Sequence, residues 1–190
     1  MQPFAPHSRA TLLHALSAAE GDGADFFASL SPDELALRID SAWTPVEHLE
    51  HLCIAVSAVA RGFAAPRWLL RIRFGRARHA SRSYDQLCDD YRARLAAGGR
   101  ATGRFVPVRV TLTEEEEPLR RSELLARWGR VNARLRAGLA AWSDSDLDRI
   151  QMPHPLLGRI TAREMIFFSI YHMGHHMEAA KKRLPRFTRP

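Results

Sequence analysis

At 190 residues, with 46% hydrophobic and 26% charged side chains, the chain has the composition of an ordinary globular protein and the length of one domain with a sizeable core. Two cysteines exclude a disulfide framework, and no apolar run is long enough for a bilayer-spanning helix. The formal charge of +7 sits mainly in RWLLRIRFGRARHASR (67–82), RRSELLARWGRVNARLR (120–136) and KKRLPRFTR (181–189). No aromatic–glycine RNA-binding signature or zinc-finger spacing accompanies it, so these stretches read as solvated helix faces and basic helix C-termini. Neither nucleic acid nor a membrane is therefore an expected partner; a small-molecule substrate is, on the metal-site reading below. The opening MQPFAPHSRA has no basic region leading into an apolar one. A secretory signal is not expected, and a reducing, cytoplasmic compartment is.

Along the chain, 3.6-residue periodicity predicts four long helices. The first runs from about Ser8 to Leu30 and is followed by LSPDELALRI (30–39), a serine-capped short turn. Thr44-Pro45-Val46-Glu47 then forms a capping box, with proline at the first helical position, where its missing N–H does no harm. The second helix runs from there to about Phe63, with a basic extension to Phe74. Residues 76–113 are poorly periodic and include GGRATGRFVPVRVTLT, which reads as a long crossing loop with a short extended piece. EEEE (114–117) places negative charge at the positive end of a third helix, about Pro118 to Trp142. WSDSDLDRI (142–150) repeats the serine-capped turn, and Thr161-Ala162-Arg163-Glu164 repeats the capping box before a fourth helix to about Leu184. Each half thus reads as long helix, capped turn, link, capping-box helix. The expected fold is all-α, a four-helix bundle with a long loop between helices two and three.

YHMGHHMEA (171–179) places three histidines in five positions of an otherwise apolar stretch. At about 100° per residue, His172 and His176 share a face with Met165, Ser169, Ala179 and Ala180, while His175 leans toward the polar flank. Imidazoles at i and i+4 on a buried face present nitrogens to a common point, which is how a helix chelates one divalent ion. A bland alternative is a pair of hydrogen-bonded core histidines, each needing polar partners for both nitrogens. The spacing is that of H-E-x-x-H, but Met173 stands where the metalloprotease base would be, so a protease is excluded. A catalytic metal usually has three protein ligands and a vacancy, and helix two offers His48 and His51 in WTPVEHLEHL (43–52). Periodicity does not choose between them: His48 is nearer the centre of the apolar face and His51 is at its edge. Cys53 falls about 160° around the helix from His51 and reads as packing, and Cys88 has no activating base nearby. Trp43, Trp68, Trp128 and Trp142 read as helix-end and core packing, and His154 as part of the turn before the last helix.

Trp43, the Thr44 cap and His51-Leu52, with His172 and His176 on the last helix and HPLLGRIT (154–161) leading into it, resemble the DinB-like superfamily of four-helix-bundle metalloproteins. That group includes bacillithiol- and mycothiol-type thiol transferases. The resemblance spans nearly the whole chain as a single domain and favours His51 over His48, implying His51, His172 and His176 as metal ligands. It implies a divalent ion, commonly nickel, zinc or another first-row metal, and a low-molecular-weight thiol as cosubstrate. After the last histidine many members carry a basic or small residue and then glutamine, where this chain has Met177-Glu178-Ala179-Ala180, so substrate preference is not carried over. The leading expectation is a metal-dependent thiol S-transferase or, with water as nucleophile, a hydrolase. The alternative from another class is a non-catalytic metal-binding stress-response module that contacts nucleic acid or a partner protein. The outer faces can support a homodimer, though no stripe marks one.

Overall fold

The computed structural model describes residues 8–109 and 116–188. Four long helices, α1 (Arg9–Ala28), α3 (Pro45–Ala64), α6 (Glu117–Ala140) and α8 (Ala162–Lys181), make the bundle, with α3 and α1 each packed on both α6 and α8. One continuous core joins them, built from Leu12, Leu16 and Phe27, Leu49, Leu52 and Val56, Leu124, Trp128 and Leu135, and Ile166, Ile170 and Met173. The two fully buried indoles keep their N–H groups satisfied, Trp128 donating to the Glu20 carbonyl and Trp142 to the Phe63 carbonyl, both at 3.0 Å. Where α6 passes α3, a Cβ on Gly138 would lie 3.0 Å from the Phe63 Cβ, so glycine lets the two backbones approach.

The faint internal repeat is present in the order of elements. Ser31 caps α2 (Pro32–Ala36) after α1, and Ser143 caps α7 (Asp144–Arg149) after α6. Both capping boxes form: Glu47 accepts from the Thr44 N–H at 2.9 Å, and Glu164 from the Thr161 N–H at 2.8 Å. Each glutamate is buried, and each is held by an arginine from outside its helix. Arg38 grips Glu47 with two hydrogen bonds at 2.7 and 3.1 Å, and Arg82 reaches Glu164 through Nε at 2.8 Å and its backbone N–H at 2.9 Å. Burial pushes the Glu164 carboxyl up, but the Arg82 contacts and the Thr161 N–H outweigh it and hold the group below the usual range. The N-termini of α3 and α8, which carry the histidines, are therefore pinned by ion pairs as well as by caps.

Three expectations are corrected. The basic extension of the second helix is a helix of its own, α4 (Arg67–Phe74), turned by 105° from α3. Pro66 lacks the N–H that would continue α3, and Ala65 before it is extended, as residues preceding proline tend to be. The stretch 76–113 is not one long loop: it contains α5 (Tyr84–Ala96) and a 3-10 turn (Gly103–Phe105). A complete Ser83/Gln86 capping box opens α5, and only a narrow stripe, Leu87, Cys88 and Tyr91, is buried. Finally, the link before the last helix is a hairpin, β1 (Gln151–His154) with β2 (Gly158–Thr161), antiparallel with His154 opposite Gly158. Gly158 takes φ 72° there. The chain closes the described region with α9 (Pro185–Thr188).

The acidic run 114–117 begins outside the described residues, and Glu116 occupies the α6 N-cap without a side-chain cap hydrogen bond. The opening residues 1–7, used above to argue against a secretory signal, also lie outside. Much of the arginine is paired: Arg71 with Asp146 at 2.6 Å, Arg120 with Glu50 at 2.8 Å, Arg136 with Glu20, and Arg163 with both oxygens of Asp148 at 2.6 and 2.9 Å. Among the described residues no single helix is long and apolar enough to cross a membrane.

Candidate metal centre

His51 lies two turns past the Thr44 cap on α3, and His172 and His176 lie one turn apart on α8. The packing of α3 on α8 brings the three rings together, buried to 4, 4 and 8% exposure. His172 Nε2 stands 3.2 Å from His51 Nε2 and 3.0 Å from His176 Nε2. Each residue offers a ring nitrogen within 4.8 Å of the others. Nitrogens bound 2.0–2.1 Å from one tetrahedral ion lie about 3.3 to 3.4 Å apart, so an ion fits with shifts of a few tenths of an ångström.

The hydrogen-bond partners decide which nitrogens face inward. His51 Nδ1 sits 2.7 Å from the Phe105 carbonyl, which can only accept, so Nδ1 carries the hydrogen and Nε2 presents its lone pair. If His172 Nε2 accepts from His176, its lone pair faces that of His51 at 3.2 Å; if it donates, its single hydrogen can serve only one of the two neighbours. A cation among the three nitrogens satisfies all of them, and a core-histidine network does not. Burial pushes the imidazoles of His172 and His176 well below their ordinary value. It also lowers His51, against the opposing pull of the Phe105 carbonyl. All three are thus neutral near pH 7, the state in which histidine ligates.

His48 is buried as well, but its ring lies behind the cluster, with Nδ1 2.8 Å from His176 Nδ1. Burial, then the charges of Arg183, His51 and His175, push it down to about 3. The open side of the three histidines faces a cavity of about 590 Å³, lined mostly by apolar side chains such as Leu95, Phe105, Leu156, Met165 and Phe168. Among the described residues, no carboxylate lines it.

Several residues have roles that periodicity did not reveal. Trp43, expected as helix-end packing, stacks on His176 with centroids 5.9 Å apart and leans on His51 at 4.9 Å. His154, expected in a turn, sits in β1, accepts at Nδ1 from the Leu156 and Leu157 N–H groups, and lines the cavity. Burial pushes it down to about 4. His175, placed toward the polar flank, also lines the cavity, as does Tyr91 of α5. Trp68 is 63% exposed and is not core. The cysteines are packing: Cys53 lies 3.7 Å from the Leu124 carbonyl with its thiol pushed up by burial to about 12, and burial raises Cys88 to about 11.

Comparison with known proteins supports the same architecture. The family model for the DinB superfamily matches residues 15–180. The crystal structure of TT2238, a four-helix bundle protein, superposes with a TM-score of 0.55 at 20% identity, covering 90% of this chain and 97% of that one. That likeness is one of fold. No curated protein matches the chain.

Proposed function

The chain belongs to the DinB superfamily, and on that premise we propose that it is a metal-dependent enzyme in which His51, His172 and His176 hold a divalent first-row ion. Nickel and zinc both suit an all-imidazole set. The nucleophile is a low-molecular-weight thiol, and the enzyme is an S-transferase. Bound at the three nitrogens, the ion supplies the positive charge that favours loss of the thiol proton.

The observation that carries this reading is the cavity. It meets the histidines on one side, leaves room for an organic nucleophile and its electrophile together, and among the described residues offers no carboxylate to take a proton from water. A thiol begins near pKa 8.5, far below water, so it needs less of the cation's charge to lose its proton. The apolar walls exclude bulk water and strengthen the charge interaction. The Phe105 carbonyl holds His51 in the ligating tautomer, and Trp43 packs its indole against the His51 and His176 rings. His175, on the cavity wall, can take the released proton. The thiol sulfur then bonds to the electrophilic carbon as its leaving group departs with the bonding pair.

The test is thioether formation from a panel of small thiols and a small electrophile, using metal-loaded protein purified without an affinity tag. Acceleration that disappears with chelator and in the His172→Ala/His176→Ala variant is expected. Chelator-sensitive ester hydrolysis without thiol transfer would make water the nucleophile. No bound metal would end the reading altogether.

A further inference from the structure

A second cavity, of about 520 Å³, has His48 in its wall and none of the three clustered histidines. Trp43, Arg100, Arg183, Asp40 and Ala179 of α8 line it as well. Trp43 and Arg100 line both cavities, so the two are neighbours across one indole. Neither Arg100 nor Arg183 is in an ion pair among the described residues; Arg183 donates to the Ala179 carbonyl at 2.8 Å. Two guanidinium groups thus face one carboxylate.

The state of His48 follows from the metal centre. If His176 ligates through Nε2, its single hydrogen is on Nδ1. That N–H must donate to His48 Nδ1, 2.8 Å away, which makes His48 Nδ1 an acceptor. A neutral His48 then carries its own hydrogen on Nε2. That atom is buried, on a residue only 5% exposed, and has no hydrogen-bond partner. A buried donor left unpaired costs about 1–3 kcal/mol, and native structures rarely tolerate one. The hydrogen therefore calls for an acceptor from outside the chain, and the cavity that His48 lines has more arginines than acids.

Resting on the metal-centre reading, we propose that this second cavity is an oxyanion subsite, taking a carboxylate or phosphate group at His48 Nε2–H with Arg183 and Arg100 as counter-charges. A bound anion makes His48 Nδ1 a better acceptor, which makes His176 Nε2 a better donor to the ion. Anion and metal therefore bind with positive, reciprocal coupling. A substrate or cosubstrate carrying an acidic group could be anchored here while its reactive end passes Trp43 into the first cavity.

The experiment uses the full chain. Metal content is measured first by element analysis. Acetate and inorganic phosphate are then titrated separately at constant ionic strength, followed by calorimetry and by the nitrogen-15 resonance of His48 Nε2. Saturable binding of either probe is expected, with the resonance moving as an N–H that gains an acceptor. The probe that binds identifies the class. Binding should weaken at least tenfold in Arg183→Gln at unchanged metal content, which separates this subsite from an anion resting on the metal. Metal-loaded protein that binds neither probe, or that binds them equally well in Arg183→Gln, overturns the subsite and leaves the metal centre standing. Protein that binds no metal overturns both.

Discussion

Replacing His172 by alanine removes the nitrogen that makes both short contacts in the cluster, 3.2 Å to His51 and 3.0 Å to His176. Structural zinc sites bind with about 10–16 kcal/mol over four ligands, or about 3 to 4 kcal/mol per ligand, so the loss should weaken binding by on the order of 10² to 10³-fold. Metal at a hundred times its dissociation constant stabilises a folded chain by about 2.7 kcal/mol. For a protein of this length each kcal/mol moves the melting temperature by about 2–4 °C. Wild type should therefore melt about 5 to 10 °C higher when loaded than after chelation. In His172→Ala the same shift should shrink to no more than about 1 to 2 °C. Comparing the two proteins under chelator isolates the packing effect of the missing ring, since both are then metal-free. Thermal melts with element analysis of the same samples provide the assay. A variant that retains one equivalent of metal and the same chelator-sensitive shift would refute the assignment of His172, and with it the geometry of the centre.

Two further outcomes follow from the frame around the site. Arg82→Met leaves the Glu164 carboxylate fully buried without its guanidinium; removing one partner of a buried pair costs about 3–5 kcal/mol, and the 28% exposure of Arg82 points to the lower end. Urea unfolding should show that loss, with most of it restored in the Arg82→Met/Glu164→Gln double variant; an unchanged midpoint in the single variant would mean that the α8 N-terminus does not depend on this pair. His154 is pushed down to about 4 from 6.5, so the unfolded chain takes up a proton that the folded chain refuses between those values. Its contribution is fully present above about pH 6.5 and is lost as pH falls toward 4, by about 3 kcal/mol in all. His154→Asn, which keeps an acceptor for the Leu156 and Leu157 N–H groups, should flatten the stability–pH slope in that window, and an unaltered slope would contradict the burial argument.

What was legible in the chain was local chemistry. The two capping boxes at Thr44 and Thr161 and the serine caps at Ser31 and Ser143 depend on residues three apart, so they could be read without knowing the partners of any helix. Helix α5 was hidden because its buried stripe is too narrow to dominate a periodicity count, although the Ser83/Gln86 box was present to be read. The hairpin was hidden because each of its strands has only four residues, too few to establish an alternation.

The i, i+4 spacing of His172 and His176 determined that two imidazoles would share one face of one helix, because a helix repeats every 3.6 residues whatever surrounds it. Which histidine of α3 would join them was not local. His48 and His51 are both buried, one turn apart, and only the way α3 lies against α8 puts His51 in the cluster and His48 behind it. The cavity takes Trp43, Phe105, His154 and Tyr91 from four separate segments of the chain. A chain can encode the shape of a helix in its neighbours along the sequence, but a site shared between helices exists only where their faces meet.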